Sequence, residues 1–341
     1  MKRHIVKLLA PLALALLLPG AAEEKKPAPG PADGTLMELV RSGDLPALQA
    51  LAAKDPAVLA FQDGQGRSLL HGAAAFGHTE MARWLIDQGN PVNAVTVEMT
   101  TPLMQAAQAG RTETARLLIA KGASLEARNS KGRTALILVG REQGGAEMAG
   151  LLLDAGADIN ASDGSQDTAL TLAAWRGFGA LVDLLLDRGA ALPEAGEGRL
   201  QLLSHSLAKG LDKLFDRLLA AGVDLSGKDS LQGNALHAAA DGGSSHILET
   251  LLAKKLDVNL RDRNGWTPLH RACERGHARA AALLIERGAR LNERTLAGET
   301  PYNLAAAEGN GDVAALLKAR GADASPPAFP ELKGANLGQK A

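Results

Sequence analysis

The sequence predicts an all-α fold, a solenoid built from one helix–turn–helix unit repeated along the chain. A polar residue suited to begin a helix recurs with a period of 33 residues. Each unit then holds two apolar stretches, separated by one glycine and closed by another. The chain is 46% hydrophobic but only 3% aromatic, which favours short, closely packed helices rich in Ala and Leu. Units of this size cannot bury their apolar faces alone, so they require copies of themselves on either side.

The clearest unit is Asp262–Glu293. Thr267 offers a hydroxyl to the first turn of a helix, and Pro268 occupies the first helical position, where its missing N–H costs nothing. We predict a first helix over Leu269–Arg275 and a second over Ala278–Arg287, each followed by a glycine.

The helix-starting position of this unit recurs along most of the chain. It falls at Ser68, Thr101, Thr134, Thr168, Gln201, Asn234, Thr267 and Thr300. Every gap is 33 residues except one of 34, in which an extra residue near Gln143 enlarges a turn. The tetrapeptides that begin at several of these positions are related, and read SLLH, TPLM, NALH, TPLH and TPYN.

These tetrapeptides at this period strongly resemble the ankyrin-repeat family, whose signature is Thr-Pro-Leu-His-x-Ala every 33 residues. The resemblance covers about Asp33 to Ala324. It implies a solenoid of helix pairs, with β-turn or hairpin fingers between units and a concave face lined by the first helices. It also implies recognition of a protein partner rather than catalysis.

The segments before the repeats predict export. Residues 1–22 are typical of a secretory signal peptide, with Lys2 and Arg3 ahead of an apolar run over 8–18 and small residues before a cleavage point after Ala22. An uncleaved membrane anchor is the alternative, but the run is too short to span a bilayer and Pro11 interrupts it. The Pro-rich residues 23–33 predict a disordered linker.

The rest of the chain divides into a cap, eight repeats and a tail. The predicted boundaries are 34–62 for an N-terminal capping helix pair, 63–94, 96–127, 129–161, 163–193, 196–227, 229–260, 262–293 and 295–324 for the repeats, and 325–341 for a disordered tail. The fifth repeat is the weakest, because Gln201 replaces the capping hydroxyl, and Gly196 and Gly198 loosen its turn. It is either a hinge or an element that grips a partner.

Charge and cysteine content exclude several classes of protein. The net charge is −1, and removal of residues 1–22 takes away three basic residues and no acidic one, which leaves about −4. This balance argues against a nucleic-acid partner. Cys273 is the only cysteine, so no intramolecular disulfide forms. It occupies a position that alanine fills in other units, which favours a small buried hydrophobe over a redox-sensing thiol. We expect a monomer.

No catalytic or metal-binding constellation is predicted. His71, His237 and His270 all fall at the last place of the capping tetrapeptide, so the repeat explains them, and the resemblance implies hydrogen bonds to the neighbouring turn. His205 and His246 are off the pattern and far from any carboxylate cluster in the sequence. No His, Cys, Asp or Glu grouping has metal-ligand spacing, so we expect no enzyme, no cofactor and no metal.

The surface is where function is expected, in the fingers and on the first helices. Arginine and aromatic residues at solvent-facing positions dominate interface energies. The candidates for partner binding are Arg67, Phe76, Arg133, Arg141, Trp175, Arg176, Arg263, Trp266 and Arg275. Of these, Arg133, Arg141, Trp175 and Arg176 fall in adjacent units and form the favoured group.

The expected function is that of a non-enzymatic protein–protein interaction scaffold in the periplasm of a Gram-negative bacterium, or outside the cell, with a partner on the concave face. A solenoid that binds a small ligand or a metal is one alternative. By analogy with exported bacterial ankyrin-repeat proteins of this layout, the other is an accessory protein that stabilises a periplasmic oxidative-stress enzyme.

Overall fold

A computed structural model describes residues 33–141 and 145–325. This part of the chain forms 18 α-helices and one short 3₁₀ helix, Pro56–Ala60. It contains no β-strand, only isolated bridges that join Gln62 to Ser68 and Ser162 to Thr168. The predicted signal peptide, most of the predicted linker, the extra residue near Gln143 and most of the predicted tail lie outside the described residues.

Each unit contributes a first and a second helix. The first helices are α1 (Asp33–Ser42), α3 (Leu69–Phe76), α5 (Pro102–Gln108), α7 (Ala135–Val139), α9 (Ala169–Arg176), α11 (Glu197–Lys209), α13 (Ala235–Gly242), α15 (Pro268–Glu274) and α17 (Pro301–Ala307). The second helices are α2 (Leu45–Lys54), α4 (Thr79–Asp87), α6 (Thr112–Ala120), α8 (Ala146–Asp154), α10 (Gly179–Asp187), α12 (Asp212–Ala220), α14 (Ser245–Ala253), α16 (Ala278–Glu286) and α18 (Gly311–Ala319).

The helices stack in two rows. Every first helix from α1 to α15 packs on the first helix of the next unit, and the second helices from α4 to α16 do the same in their own row. One hydrophobic cluster runs through the stack from Leu36 to Leu317. No unit has a core of its own, which is why the units are stable only together. The predicted all-α solenoid is confirmed.

The predicted helix-starting residues cap their helices except at Gln201, and the buried histidines join these caps to the turn that follows the unit's second helix. In the first repeat, Nδ1 of His71 accepts a 3.2 Å hydrogen bond from the Ser68 N–H, and Nε2 lies 2.9 Å from the Thr100 carbonyl oxygen. An imidazole that accepts at Nδ1 carries its proton on Nε2, so it donates to that carbonyl. His237 and His270 repeat the arrangement, which confirms their structural role. Burial lowers the pKa of all three, and brings that of His270 to about 4.

The turns between units form fingers that bond to one another in a ladder. In each pair, a backbone N–H near the tip of one finger donates to a carbonyl of the finger before it. The bonds run from Val97 to Gln65, from Ser130 to Glu98, from Gly164 to Lys131, from Arg263 to Leu231 and from Leu296 to Asn264, at 2.7–3.1 Å. The ladder therefore has two parts, over units one to four and units six to eight.

The ladder is interrupted because the fifth unit makes no finger. Helix α11 begins at Glu197, four residues before Gln201, so the prediction that Gln201 is a helix cap is wrong. Glutamine lacks the short hydroxyl that caps elsewhere, and the preceding residues extend the helix instead. The extension starts at Gly196, whose φ of +130° is restricted to glycine. Helix α13 then packs so closely on α11 that a Cβ at Gly242 would overlap the carbonyl oxygen of Leu207.

Both ends of the described array extend slightly past their predicted limits. Helix α1 begins at Asp33, the last residue of the predicted linker. At the other end, the carbonyl of Ser325 accepts a 2.9 Å hydrogen bond from Nδ2 of Asn303. The first residue of the predicted tail therefore belongs to the last unit.

Candidate recognition surface

Trp175 and Arg176 form the most exposed aromatic–cation pair of the described residues. Both lie in the last turn of α9, before Gly177 ends the helix with a φ of +77°. The indole is 53% exposed, and Cζ of Arg176 lies 4.7 Å from the ring centroid. The stack holds an apolar surface and a positive charge together in solvent, as the repeat register predicts for this position.

Arg133 lies in a partly buried ion pair between fingers. Its Nε lies 2.9 Å from Oδ2 of Asp163, the first residue of the next finger, and the two side chains are 16% and 1% exposed. The prediction of a solvent-facing guanidinium at this position is therefore wrong. Desolvation raises the pKa of Asp163, but hydrogen bonds from Arg133 and from the N–H groups of Ser165 and Asp167 outweigh it and lower the pKa overall. Arg133 therefore forms part of the side of the recognition surface and links the third finger to the fourth.

Arg67 and Arg275 are also paired, but remain half exposed. Nε of Arg67 lies 2.7 Å from Oδ2 of Asp63 in its own finger. Nε of Arg275 lies 2.8 Å from Oδ1 of Asp241 in the preceding unit, a hydrogen bond that raises the pKa of Arg275. Each guanidinium therefore has an exposed edge for a second acceptor.

The remaining aromatic candidates are also covered by arginines. Cζ of Arg41 lies 5.9 Å from the ring centroid of Phe76, which is 37% exposed. Trp266 is half buried, because Arg271 lies 4.6 Å over its ring. Sequence reasoning missed Arg271. An arginine in the first helix turn after a finger tryptophan could have indicated that its guanidinium stacks on the indole ring.

Arg263 lies in the finger of the seventh unit, away from the favoured group. Its backbone N–H donates to Leu231 of the finger before it. Its side chain is exposed. Arg263 therefore combines a fixed backbone with a solvent-facing cation.

A cleft opens where the fifth finger is missing. Its volume is about 760 Å³, within the range of ligand-binding pockets. We call it the unit-five cleft; it is lined by Arg133, Arg141, Ser165, Gln166, Asp167, Thr171, Leu172, Trp175, Pro193, Gly198, Gln201, Leu202 and His205. Three of the four residues in the favoured group line it, and the fourth, Arg176, stacks on Trp175.

The polar residues on the unit-five side of the cleft come from α11. Gln201 and His205 lie one helical turn apart on this helix. The sequence singled out the fifth unit as a hinge or a partner-gripping element but did not mark these two residues as binding candidates. Burial lowers the pKa of His205, and the positive charge of Lys209 lowers it further. On the opposite side, Oδ1 of Asp167 accepts a 3.1 Å hydrogen bond from the Thr171 hydroxyl.

Two chemical groups outside the cleft have structural roles. Burial raises the pKa of the Cys273 thiol to about 12, so the expectation of a small buried residue is confirmed. His246, in contrast, is not isolated from carboxylates, since its Nε2 lies 2.8 Å from Oδ1 of Asp216 on α12. That hydrogen bond raises the pKa of His246. The partner lies 30 residues away, so only the stacking of units reveals it.

Residues 33–141 and 145–325 contain neither a metal-binding cluster nor a membrane-spanning helix. Nowhere in these ranges do three or more His, Cys, Asp or Glu residues converge as a metal site. None of the helices described there has the length and apolar character needed to cross a lipid bilayer.

Helix pairs in two stacked rows, joined by hydrogen-bonded fingers, define a helical-repeat solenoid. The chain belongs to the ankyrin repeat family. A family model of three ankyrin repeats matches residues 36–129, 203–295 and 236–327, and a model of many ankyrin repeats matches 140–186. The repeats support a role as a scaffold for protein–protein interaction.

The chain is also similar to parts of several known proteins. It is 42% identical over 85 residues to a putative ankyrin repeat-containing protein of Treponema pallidum, which covers 24% of this chain and 28% of that protein. It is 36% identical over 101 residues to the E3 ubiquitin-protein ligase hecd-1 of Caenorhabditis elegans, with 30% of this chain and 4% of the relative covered. With the rice E3 ubiquitin-protein ligase XB3 it shares 44% identity over 70 residues, 20% of this chain and 16% of the relative. The chain spans less than a third of the length of each relative.

Proposed function

We propose that this chain is a non-enzymatic scaffold that binds a protein partner on the face formed by its first helices and fingers, in the periplasm or outside the cell. The exposed Trp175–Arg176 stack beside the unit-five cleft carries this proposal. Tryptophan and arginine are enriched among residues that dominate binding energy, and here they adjoin a concavity that a partner side chain can enter.

The rigidity of the surface supports recognition of a protein partner. Inter-unit bonds such as Arg133–Asp163 hold the fingers in place before any partner arrives. A surface fixed in advance loses little conformational entropy on binding. Ankyrin repeats are in general binding units rather than catalysts, which favours a scaffold over an enzyme.

The proposed location is supported by the sequence alone. The basic start, apolar run and small residues of 1–22 are those of an export signal. A fusion of residues 1–33 to a reporter enzyme that is active only outside the cytoplasm tests this step. We expect activity from the fusion, and loss of activity when charged residues interrupt the apolar run. Activity confined to the cytoplasm would refute export.

Small-ligand binding is the second candidate, because the volume of the unit-five cleft is that of a small-molecule pocket. Native mass spectrometry of the purified chain distinguishes the two functions. A retained small molecule supports ligand binding, and a bare chain that captures a protein supports the scaffold. The accessory role for an oxidative-stress enzyme is a special case of the scaffold, in which the captured protein is that enzyme.

Affinity capture tests the scaffold directly. The chain is used as bait in an extract of its source organism, beside the double variant Trp175→Ala/Arg176→Ala. Both residues are exposed, so the variant keeps its fold. We expect one protein to be enriched by the unchanged chain and lost from the variant. Arg83→Ala, at an exposed position of α4 on the second-helix row, is the matched control and retains the partner. Equal recovery by all three baits would place the binding surface elsewhere.

A further inference from the structure

The carbonyl oxygen of Ser165 is a position of the finger ladder that accepts no backbone hydrogen bond from the described residues. Gln65, Glu98 and Lys131 occupy the equivalent place in units one to three, and each of their carbonyls accepts an N–H from the next finger. Ser165 is next in this series, and no backbone N–H of the described fifth unit reaches its carbonyl. The first part of the ladder therefore ends at a free acceptor on the wall of the unit-five cleft.

An open ladder end of this kind favours an extended peptide. Peptides that add to an exposed backbone edge gain affinity from main-chain hydrogen bonds and specificity from pockets for alternate side chains. The cleft beside Ser165 supplies such a pocket, with apolar walls from Leu172, Pro193 and Leu202 and the indole of Trp175. Helix α11 stands at the far wall, where Gln201 offers a side-chain amide.

The charges around the cleft favour an acidic side chain. Arg133 is neutralised by Asp163, whereas Asp167 keeps its negative charge, because the Thr171 hydroxyl that donates to it is neutral. Among the described residues, three cations outnumber this carboxylate. Arg141 lines the cleft, Arg176 lies over Trp175, and the stem of Lys209 lies against Gly177 at the end of α9. Two arginines and a lysine suit a carboxylate, which an arginine can bind through paired hydrogen bonds.

We propose that the unit-five cleft binds an extended segment of a partner protein, which donates a backbone N–H to the Ser165 carbonyl and places a carboxylate beside Arg141. This proposal rests on the scaffold function above and specifies its partner as a linear acidic segment rather than a folded face. The proposal also explains the absence of a fifth finger, because the finger of a regular fifth repeat would donate its own N–H to the Ser165 carbonyl.

Two substitutions on one helix test the site. Gln201→Trp fills the cleft from an exposed position of α11, and Leu200→Trp adds the same side chain to a separate cavity of about 180 Å³ lined by other α11 residues. Leu200 is 48% exposed, so both variants keep the core intact. Far-UV circular dichroism and the melting temperature verify that both fold.

The probe is a linear peptide selected from a displayed random library on the purified chain, with affinity measured by fluorescence anisotropy. We expect selected peptides to share an acidic residue beside an apolar one. Affinity should fall about tenfold or more for Gln201→Trp and for Arg141→Ala, and change less than about twofold for Leu200→Trp. N-methylation of the peptide backbone should abolish binding at one N–H and leave its neighbours unaffected.

Each contrary result has a definite meaning. Peptides without a shared acidic residue, or equal affinity for both tryptophan variants, would overturn the proposal. So would binding that appears only as self-association of the chain, because the occupant would then be a second copy. If a protein partner is captured through Trp175 and Arg176 but no peptide competes with it, the scaffold function holds and the linear-segment proposal fails.

Discussion

The Nε of Arg133, in the third finger, donates a 2.9 Å hydrogen bond to Oδ2 of Asp163 at the start of the fourth. This contact joins two units across 30 residues of chain. It also fixes the wall of the unit-five cleft, because the N–H groups of Ser165 and Asp167 bind the other oxygen of the same carboxylate. One partly buried pair thus links the stability of the stack to the shape of its binding surface.

Loss of Arg133 should destabilise the fold more than loss of an exposed arginine. Arg133→Ala leaves a carboxylate that is 1% exposed without its cation, and we expect the free energy of unfolding to fall by about 3 kcal/mol. Arg67→Ala, which breaks a half-exposed pair within one finger, should cost less than about 1 kcal/mol. Urea denaturation followed by circular dichroism measures both. Equal decreases in the free energy of unfolding of the two variants would show that the Arg133–Asp163 pair stabilises the fold no more than an exposed pair does.

The buried histidines should make the fold less stable in acid. Burial lowers the pKa of His270 from its ordinary value of 6.5 to about 4, so the unfolded chain binds a proton that the folded chain does not. The contribution of His270 to the free energy of unfolding is therefore fully present above pH 6.5, and it decreases as the pH drops towards 4. The eighth unit suggests the matched variant, because Asn303 occupies the same position and its Oδ1 accepts from the Thr300 N–H at 3.1 Å.

His270→Asn should keep the local hydrogen bonds and remove the titration. Between about pH 7 and about pH 4.5 we expect the unchanged chain to lose about 2 to 3 kcal/mol more than the variant. Denaturant unfolding at the two pH values gives this difference. A variant with an unaltered pH dependence would mean that His270 does not titrate with folding.

Cys273 should be unreactive while the chain is folded. Its thiol is fully buried and its pKa is raised to about 12, so the thiolate fraction near pH 8 is on the order of one part in ten thousand. We expect alkylation at least about a hundredfold slower than in the chain unfolded by urea. Cys273→Ala, which restores the residue found at this position in other units, should fold normally. Rapid labelling of the native chain would show that the seventh unit opens.

Local signals in the sequence predicted most of the fold. The helix-starting hydroxyls, the histidines three residues later and the glycines act within a single turn, so their positions alone indicate the period and the helix pairs. The start of α11 was predicted wrongly because the 33-residue period placed it at Gln201. The actual start depends on Gly196 and on the helix-forming residues after it.

Contacts between units were harder to predict. Arg133 and His246 each meet a carboxylate 30 residues away, at a distance fixed by the way the units stack. The repeat pattern places a residue in its unit but does not tell which side chain of the next unit it meets. For the same reason the sequence indicated the group of Arg133, Arg141, Trp175 and Arg176 but not the cleft that three of them line.

Photo-crosslinking in the cells of origin tests the central proposal most directly. A photoreactive phenylalanine analogue replaces Trp175, beside the unit-five cleft, or Arg83, an exposed residue on the second-helix row. We predict a crosslink to one partner protein from position 175 and none from position 83. A crosslink from position 83 alone, or the same products from both positions, would contradict recognition through the first-helix face.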